Sequence, residues 1–148
     1  MNKIINSSDI KLKIAVDNWQ DAVKECGHIL VANGYVEESY VDAMLRTVKE
    51  LGPYIVIGPG LAMPHARSTD GVIKSGISLI TLAKPIYFGN KDNDPVHVVV
   101  GLAGSSDDVH IKLLQSIVNV FEDETAVAKI SEEYSVDEIV ELFERKQL

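Results

Sequence analysis

Two of the four histidines lie in sequence contexts that suit chemistry at an imidazole ring. The first is His65, in the segment GPGLAMPHARSTDG at residues 58–71, where Pro64 directly precedes it. Proline fixes its own φ and favours an extended conformation at the preceding residue, so we expect His65 on a stiff backbone at the exit of a strand. A neutral imidazole has a free nitrogen lone pair, so this ring could be a nucleophile, a base or a metal ligand, or simply an exposed turn residue.

The second is His110, in the segment VVVGLAGSSDDVHIKLLQSIVNVF, where a buried strand is followed by a helix. Ser105 or Ser106 can cap that helix, and open α/β sheets usually form ligand crevices at such strand ends. His110 shares one helix face with Leu114, Ile117 and Phe121. The helix N-terminus would favour a bound anion and oppose protonation of the ring. The spacing fits equally well a boundary histidine that closes the core.

Helices are predicted near both ends of the chain. Asp17 or Asn18 can cap a helix from Trp19 to about Asn33, and a second helix extends from about Glu37 to Leu51. Gly52-Pro53 ends the second helix. Three more helices are predicted at Asp107–Phe121, Glu124–Glu133 and Val136–Phe143, the last opened by a Ser135-x-x-Glu138 capping box.

Short, β-branched apolar segments predict the strands. They are Tyr54–Ile57, Leu61–Met63, Ile77–Ala83, Ile86–Phe88 and Val96–Leu102. Residues 98–100 are all valine, which predicts a strand covered on both faces. We therefore expect the α/β class, as a three-layer α/β sandwich with a mixed sheet of about five strands flanked by helices on both faces. With 148 residues and 46% hydrophobic composition, the chain should form one domain over residues 1–148.

The overall charge argues against polyanionic partners. The formal net charge is −8 and no basic cluster is present, whereas nucleic acids and anionic membranes attract clustered Lys and Arg. The single cysteine, Cys26, cannot form an internal disulfide, and the segment MNKIINSSDI lacks the apolar run of a signal peptide. No apolar run reaches the roughly 18 residues that suggest a membrane span. These features predict a cytoplasmic protein.

Three segments together resemble a known family. They are GPGLAMPHAR, GISLITLAKPIYFGNKDNDPVHVVVGLAGSSDDVHIKLLQSI and NGYVEESYVDAMLRTVKELGPYIVI. They look like the enzyme IIA domains of the mannitol–fructose class in the bacterial phosphoenolpyruvate-dependent sugar phosphotransferase system. The PHA motif, paired with a second histidine in a D-x-H helix, carries the resemblance. Within the class, LGPYIVI and MPHAR are most similar to the ascorbate-type enzymes IIA.

The resemblance implies a phosphoryl carrier, and hence a phosphotransferase. His65 would accept a phosphoryl group from the phosphocarrier protein HPr and pass it to the matching enzyme IIB, which phosphorylates sugar during transport through the membrane enzyme IIC. His110 and Arg46 would stabilise the phosphoryl group, Arg46 by its match to an arginine on the corresponding helix of the family. No metal or organic cofactor is implied.

Both candidate arginines also have ordinary interpretations. Arg46 lies on the polar face of its helix, where an i, i+4 ion pair with Asp42 would explain it. Arg67 is a secondary candidate, because it follows His65 by two residues and could equally be an exposed loop charge. Because HPr and enzyme IIB must each approach His65, we also expect the ring to lie in a shallow depression. Apolar side chains should form the rim of this depression, with Leu61 and Met63 as contributors.

The remaining histidines receive no function. His28 shares a helix face with charged residues and is expected at the surface, and His97 opens a strand next to Pro95.

Other functions stay open at this point. The chain could be a regulatory, nitrogen-type enzyme IIA that signals through protein binding and moves no sugar. It could be a metal-dependent hydrolase with His65 and His110 as ligands, although no complete ligand pattern accompanies them. It could also be a non-catalytic binding module. The sequence leaves the transported sugar and the oligomeric state open, with a homo-oligomer among the possibilities.

Overall fold

A mixed β-sheet forms the centre of the chain in the computed structural model, which describes residues 4–147. Its five strands in this range are β1 (Ile10–Ile14), β2 (Val56–Gly58), β3 (Leu61–Ala62), β4 (Gly76–Ile86) and β5 (Val96–Ala103). Their order across the sheet is β1-β4-β5-β3-β2. The pairs β1–β4 and β3–β5 are parallel, and the pairs β4–β5 and β2–β3 are antiparallel.

Five α-helices accompany the sheet within the same range. They are α1 (Trp19–Ala32), α2 (Glu38–Leu51), α3 (Asp107–Phe121), α4 (Ala126–Glu132) and α5 (Val136–Arg145). Asn18 caps α1, Ser106 caps α3, and Ser135 with Glu138 forms the predicted capping box of α5. Because these caps satisfy backbone N–H groups that the helix leaves free, short polar side chains fix where α1, α3 and α5 begin.

The sheet separates two hydrophobic cores. One core packs α1 and α2 on the sheet, and the other packs α3, α4 and α5 on its opposite face. Val99 of β5 belongs to the first core, while Val98 and Val100 belong to the second. The prediction of a strand covered on both faces is therefore confirmed, as are the α/β class and the three-layer arrangement.

The strand predictions differ from the structure in three places. Strand β1 was not predicted. The predicted segments Ile77–Ala83 and Ile86–Phe88 form no separate strands, because β4 continues through Pro85 to Ile86. Its register with β5 shifts between Thr81 and Ile86, and such an irregularity tolerates a residue that lacks a backbone N–H.

The start of the first predicted strand is instead a turn. Pro53–Ile55 forms a 3-10 turn that leads into β2. Gly52, with a φ of +79°, ends α2 before it, which is a conformation that favours glycine. The turn brings the chain from the end of α2 back to the sheet beside β3.

None of the helices within residues 4–147 is long and apolar enough to cross a membrane.

Candidate functional site

The backbone just before His65 is held by hydrogen bonds to two neighbouring segments. The Met63 N–H donates to the Ile55 carbonyl at 2.7 Å, and the Leu102 N–H donates to the Pro64 carbonyl at 3.2 Å. His65 itself forms a parallel bridge with Leu102, beyond the end of β3. These contacts fix the position of the His65 Cα relative to β5, as the sequence predicted for a residue at the exit of a strand.

The His65 ring has one nitrogen bound to the backbone and one nitrogen available. Its Nδ1 lies 2.8 Å from the Met63 carbonyl oxygen. Because a carbonyl oxygen only accepts hydrogen bonds, this contact requires the proton on Nδ1. In the neutral ring the lone pair is then on Nε2, and the half-buried side chain leaves this atom as the nucleophilic one.

His110 lies beside His65 at the first turn of α3. The two ring centroids are 5.0 Å apart, with an angle of 66° between the ring planes. The Val109 N–H donates to the Ser106 hydroxyl at 3.2 Å, so the cap fixes the turn that carries His110. The two histidines that the sequence singled out therefore meet in one place, although 44 residues separate them along the chain.

The environment lowers the pKa of His110 below its usual value. Burial is the main cause, because it disfavours the charged ring, and positive charge on His65 adds to the effect. The Asp107 carboxylate opposes both. A neutral His110 can donate one hydrogen bond to a neighbouring anion and accept another from a polar group.

A cleft of about 470 Å³ opens in front of the two histidines. Its lining comes from α2, from the segment around His65 and from the first turn of α3. Arg46 of α2 lines this cleft together with His65 and His110. All three predicted site residues therefore face one space.

Arg46 does not form the ion pair with Asp42 that was its alternative interpretation. Among the described residues, no ion pair joins it to Asp42, and its exposed side chain lines the cleft instead. The i, i+4 spacing places the two side chains near each other without requiring contact, and exposed pairs of this kind contribute little free energy.

Arg67 also lines the cleft, at its outer edge. Its Nε lies 3.5 Å from a carboxylate oxygen of Asp70, and its side chain is 86% exposed. The Arg67 N–H donates to the same carboxylate at 3.0 Å. The cleft therefore has one arginine held beside a carboxylate and one, Arg46, without an ion pair in the described part of the chain.

Sequence reasoning missed several residues of the cleft. They are Ala43, Thr47, Glu50 and Leu51 of α2, together with Ala66, Ser68, Asp70, Ser106 and Asp107. Ala43 and Glu50 lie three and four residues from Arg46 and share its helix face, which was the available signal. Leu51, the last residue of α2, is 59% exposed.

The predicted rim residues were wrong. Leu61 and Met63 are buried in the core with α3 to α5, because the side chains of β3 and its extension point into the sheet layers. The apolar part of the cleft comes from α2 and from Ala66 instead.

The other two histidines lie elsewhere. His28 is exposed on α1, and His97 is half-buried near the start of β5. Within residues 4–147, no group of three or more His, Cys, Asp and Glu side chains is arranged to hold a metal ion.

Comparison with known families identifies the class of protein. Residues 3–146 match the model of the family described as "Phosphoenolpyruvate-dependent sugar phosphotransferase system, EIIA 2". The chain belongs to this EIIA family. Because the match spans nearly all of the chain, the predicted resemblance is confirmed, and the chain is a phosphotransferase component by family.

Individual relatives agree with this assignment. The ascorbate-specific EIIA component of Salmonella choleraesuis is 39% identical over 145 residues, which cover 97% of this EIIA chain and 94% of the relative. The crystal structure of the mannitol IIA of Escherichia coli is 30% identical, with a TM-score of 0.83, and the match covers 94% of this chain and 98% of that one.

A second solved structure contains a partner. It is the complex of the mannitol enzyme IIA of Escherichia coli with phosphorylated enzyme IIB. The IIA chain is 29% identical to this one with a TM-score of 0.85, and the match covers 95% of this chain and 97% of that chain. The expected similarity to ascorbate-type and mannitol-type enzymes IIA is thus confirmed.

Proposed function

We propose that this EIIA chain is a phosphoryl carrier that uses His65 Nε2 as its acceptor atom. Phospho-HPr is the phosphoryl donor, and a cognate enzyme IIB is the phosphoryl acceptor. Enzyme IIB then phosphorylates the sugar that enters through enzyme IIC, in a system of the ascorbate type. The observation that carries the proposal is the Nδ1 contact with the Met63 carbonyl, which leaves a lone pair on Nε2 in the cleft.

The first transfer needs no general base. The Nε2 lone pair attacks phosphorus in the phosphohistidine of HPr, the P–N bond to HPr breaks, and its electron pair returns to the HPr ring. His65 keeps its Nδ1 proton, so the bond to Met63 persists in the phosphorylated ring. In the second transfer, the enzyme IIB nucleophile attacks phosphorus, and the bonding electrons return to Nε2.

His110 and Arg46 supply hydrogen-bond donors for the phosphoryl oxygens. A loose phosphoryl-transfer transition state carries its negative charge on three equatorial oxygens. His110 is adjacent to His65, and Arg46 lines the same cleft and has no ion pair to a carboxylate within residues 4–147. The N-terminus of α3 adds a favourable dipole, while Asp107 and Asp70 limit the net positive charge. Arg67 is a secondary contributor.

Partners must approach the same cleft in turn. HPr and enzyme IIB both need Nε2 within bonding distance of phosphorus, so their binding should be mutually exclusive. Exchange between them requires transient complexes. We take residues 1–148 as one IIA domain that works in the cytoplasm, where both partners act.

The decisive experiment is intact-mass spectrometry after incubation with phosphoenolpyruvate, enzyme I and HPr. The native chain should gain one acid-labile phosphoryl group that depends on HPr, and His65→Ala should gain none. His28→Ala, which changes an exposed histidine on α1, is the matched control and should be modified like the native chain. An unmodified native chain in the presence of active phospho-HPr would refute the proposal.

A second measurement separates sugar transport from a regulatory role. The phosphorylated chain is mixed with candidate enzymes IIB, and loss of its phosphoryl group is followed. Rapid transfer to an enzyme IIB supports the carrier function, whereas a phosphorylated chain that transfers to none of them favours the regulatory alternative. Undiminished function of His65→Ala in cells would favour the non-catalytic binding module.

A further inference from the structure

One buried hydroxyl group connects the three elements that carry the candidate site. Tyr40 of α2 is fully buried, and its hydroxyl lies 2.6 Å from the Leu102 carbonyl oxygen and 3.2 Å from that of Ala66. The same hydroxyl accepts a hydrogen bond from the Ala66 N–H at 2.9 Å. Ala66 directly follows His65, and Leu102 lies at the end of β5.

These contacts constrain the backbone on both sides of the His65 ring. The Ala66 N–H fixes the peptide that follows the ring, while the Leu102 N–H holds the Pro64 carbonyl before it. The ring nitrogen Nδ1 must keep its contact with Met63 within the same short turn. Release of Ala66 would let the turn relax and would weaken the constraint that selects the Nδ1–H tautomer.

The hydroxyl also sets the relative position of the other two site residues. Tyr40 lies on the helix that carries Arg46, and Leu102 lies two residues before Gly104, where an added Cβ would lie 2.7 Å from the His110 Cα. One phenol thus joins the Arg46 helix, the His65 segment and the strand that leads to His110. Burial raises the pKa of Tyr40 to about 12, so the phenol stays protonated and keeps its donor at neutral pH.

We propose that Tyr40 is a positioning residue for phosphoryl transfer at His65. It touches neither the phosphoryl group nor a partner, because its hydroxyl is buried beneath the segment that carries His65. The inference rests on the proposed phosphoryl transfer. Small displacements of a reacting atom cost large factors in rate, so the role is kinetic as well as structural.

The test compares Tyr40→Phe with Tyr35→Phe. Tyr35 is a matched control, because its hydroxyl lies 3.0 and 3.2 Å from the two carboxylate oxygens of Asp9 and the residue lies outside the cleft lining. Each variant loses one hydroxyl that is hydrogen-bonded within the fold. Single-turnover transfer from phospho-HPr is measured over a range of HPr concentrations, and thermal unfolding is measured in parallel.

We expect Tyr40→Phe to lower the transfer rate at saturating phospho-HPr by about 10-fold or more, with the half-saturating concentration unchanged within about twofold. Tyr35→Phe should transfer at the native rate. A native rate in Tyr40→Phe would overturn the proposal. So would an equal loss of rate in Tyr35→Phe, which would indicate general destabilisation.

Ring-nitrogen NMR shifts of His65 give a readout that does not depend on phosphorylation. The native chain should show a protonated Nδ1 and an unprotonated Nε2, and Tyr40→Phe should show a mixture of the two tautomers. If the tautomer is unchanged in Tyr40→Phe, the positioning role is refuted. If the native chain accepts no phosphoryl group from HPr, the proposed function fails, and the tautomer still decides whether Tyr40 orients the ring.

Discussion

At the scale of single residues, the site is defined by which polar groups already have a hydrogen-bond or ion-pair partner within the protein. His65 has its Nδ1 on the Met63 carbonyl, and Arg67 lies beside Asp70. His110 and Arg46 face the cleft. Sequence spacing identified His65 and His110, but it could not tell which ring nitrogen is free, because that depends on a backbone carbonyl whose direction only the folded turn sets. It also left an ion pair with Asp42 open as an alternative for Arg46, since helical spacing gives proximity and not contact.

The lowered pKa of His110 predicts a pH-dependent stability. In the folded chain this ring binds a proton less readily than in the unfolded chain, so acid favours unfolding. The contribution of His110 is therefore full at neutral pH and is lost progressively as the pH falls below about 6.5, the usual value for histidine. Thermal unfolding of the native chain and of His110→Gln between pH 8 and pH 5 measures this effect.

Acidification should lower the melting temperature of the native chain more than that of His110→Gln. His28→Gln is the control, because His28 is exposed on α1, and it should follow the native curve. Identical curves for the native chain and His110→Gln would show that the protonation of His110 is not coupled to folding.

Replacement of Arg46 should slow phosphoryl transfer and should change the stability of the fold little. Its side chain is exposed and has no ion pair within residues 4–147, so Arg46→Ala should change the free energy of unfolding by no more than about 0.5 kcal/mol. Loss of a charged donor to the transition state should slow phosphoryl transfer by about 100-fold. Lys49→Ala on the same helix, outside the cleft lining, is the control for both measurements. An unchanged transfer rate in Arg46→Ala would remove this residue from the site.

At the scale of elements, close approach of the β5 end to α3 brings His110 to His65. A Cβ on Gly104 would lie 2.7 Å from the His110 Cα and 2.8 Å from its backbone nitrogen. Since those are backbone atoms, no side-chain rotation could relieve the contact. The absence of a side chain at residue 104 is therefore what allows the first turn of α3 to pack against the strand end.

Gly104→Ala should displace the first turn of α3. We expect a loss of about 1–3 kcal/mol in the free energy of unfolding, as for other overpacked sites, and slower transfer to His65 because His110 moves away. Gly58→Ala is a matched control in β2, where an added Cβ meets nothing within 4 Å. Denaturant unfolding and single-turnover transfer measure the two effects. Equal behaviour of the two variants would contradict the close-approach argument.

The helices were predictable from sequence to within a few residues, while the strands were less so. Ser106, Ser135 and Asn18 are local signals that act on the next few residues, so helix starts are encoded nearby. Strand β1 was missed although its sequence IKLKI alternates apolar and charged residues, because it is only five residues long and pairs with β4, which lies over 60 residues away. The cleft residues of α2 were missed because they also depend on a distant part of the chain. The helix pattern shows which residues share a face, but the position of the segment around His65 decides which part of α2 lines the cleft.

At the scale of the whole molecule, the sheet connects two cores that share its strands. Cys26 lies in the core with α1 and α2, with its thiol 3.1 Å from the Ser78 hydroxyl. Burial raises the pKa of this thiol to about 12, so the reactive thiolate is scarce in the folded chain. Labelling of Cys26 by a thiol reagent therefore requires the core to open.

This thiol can test whether the two cores unfold together. Ile139 is buried in the opposite core, on α5, and Ile139→Val should lower the free energy of unfolding by about 1 kcal/mol. If β4 and β5 couple the cores into one cooperative unit, the labelling rate of Cys26 should rise by about fivefold, the factor that corresponds to this energy. Glu141→Gln, an exposed change on the same helix, should leave the rate unchanged. A lower melting temperature in Ile139→Val without faster labelling would mean that the core around Cys26 opens independently of the core that contains Ile139.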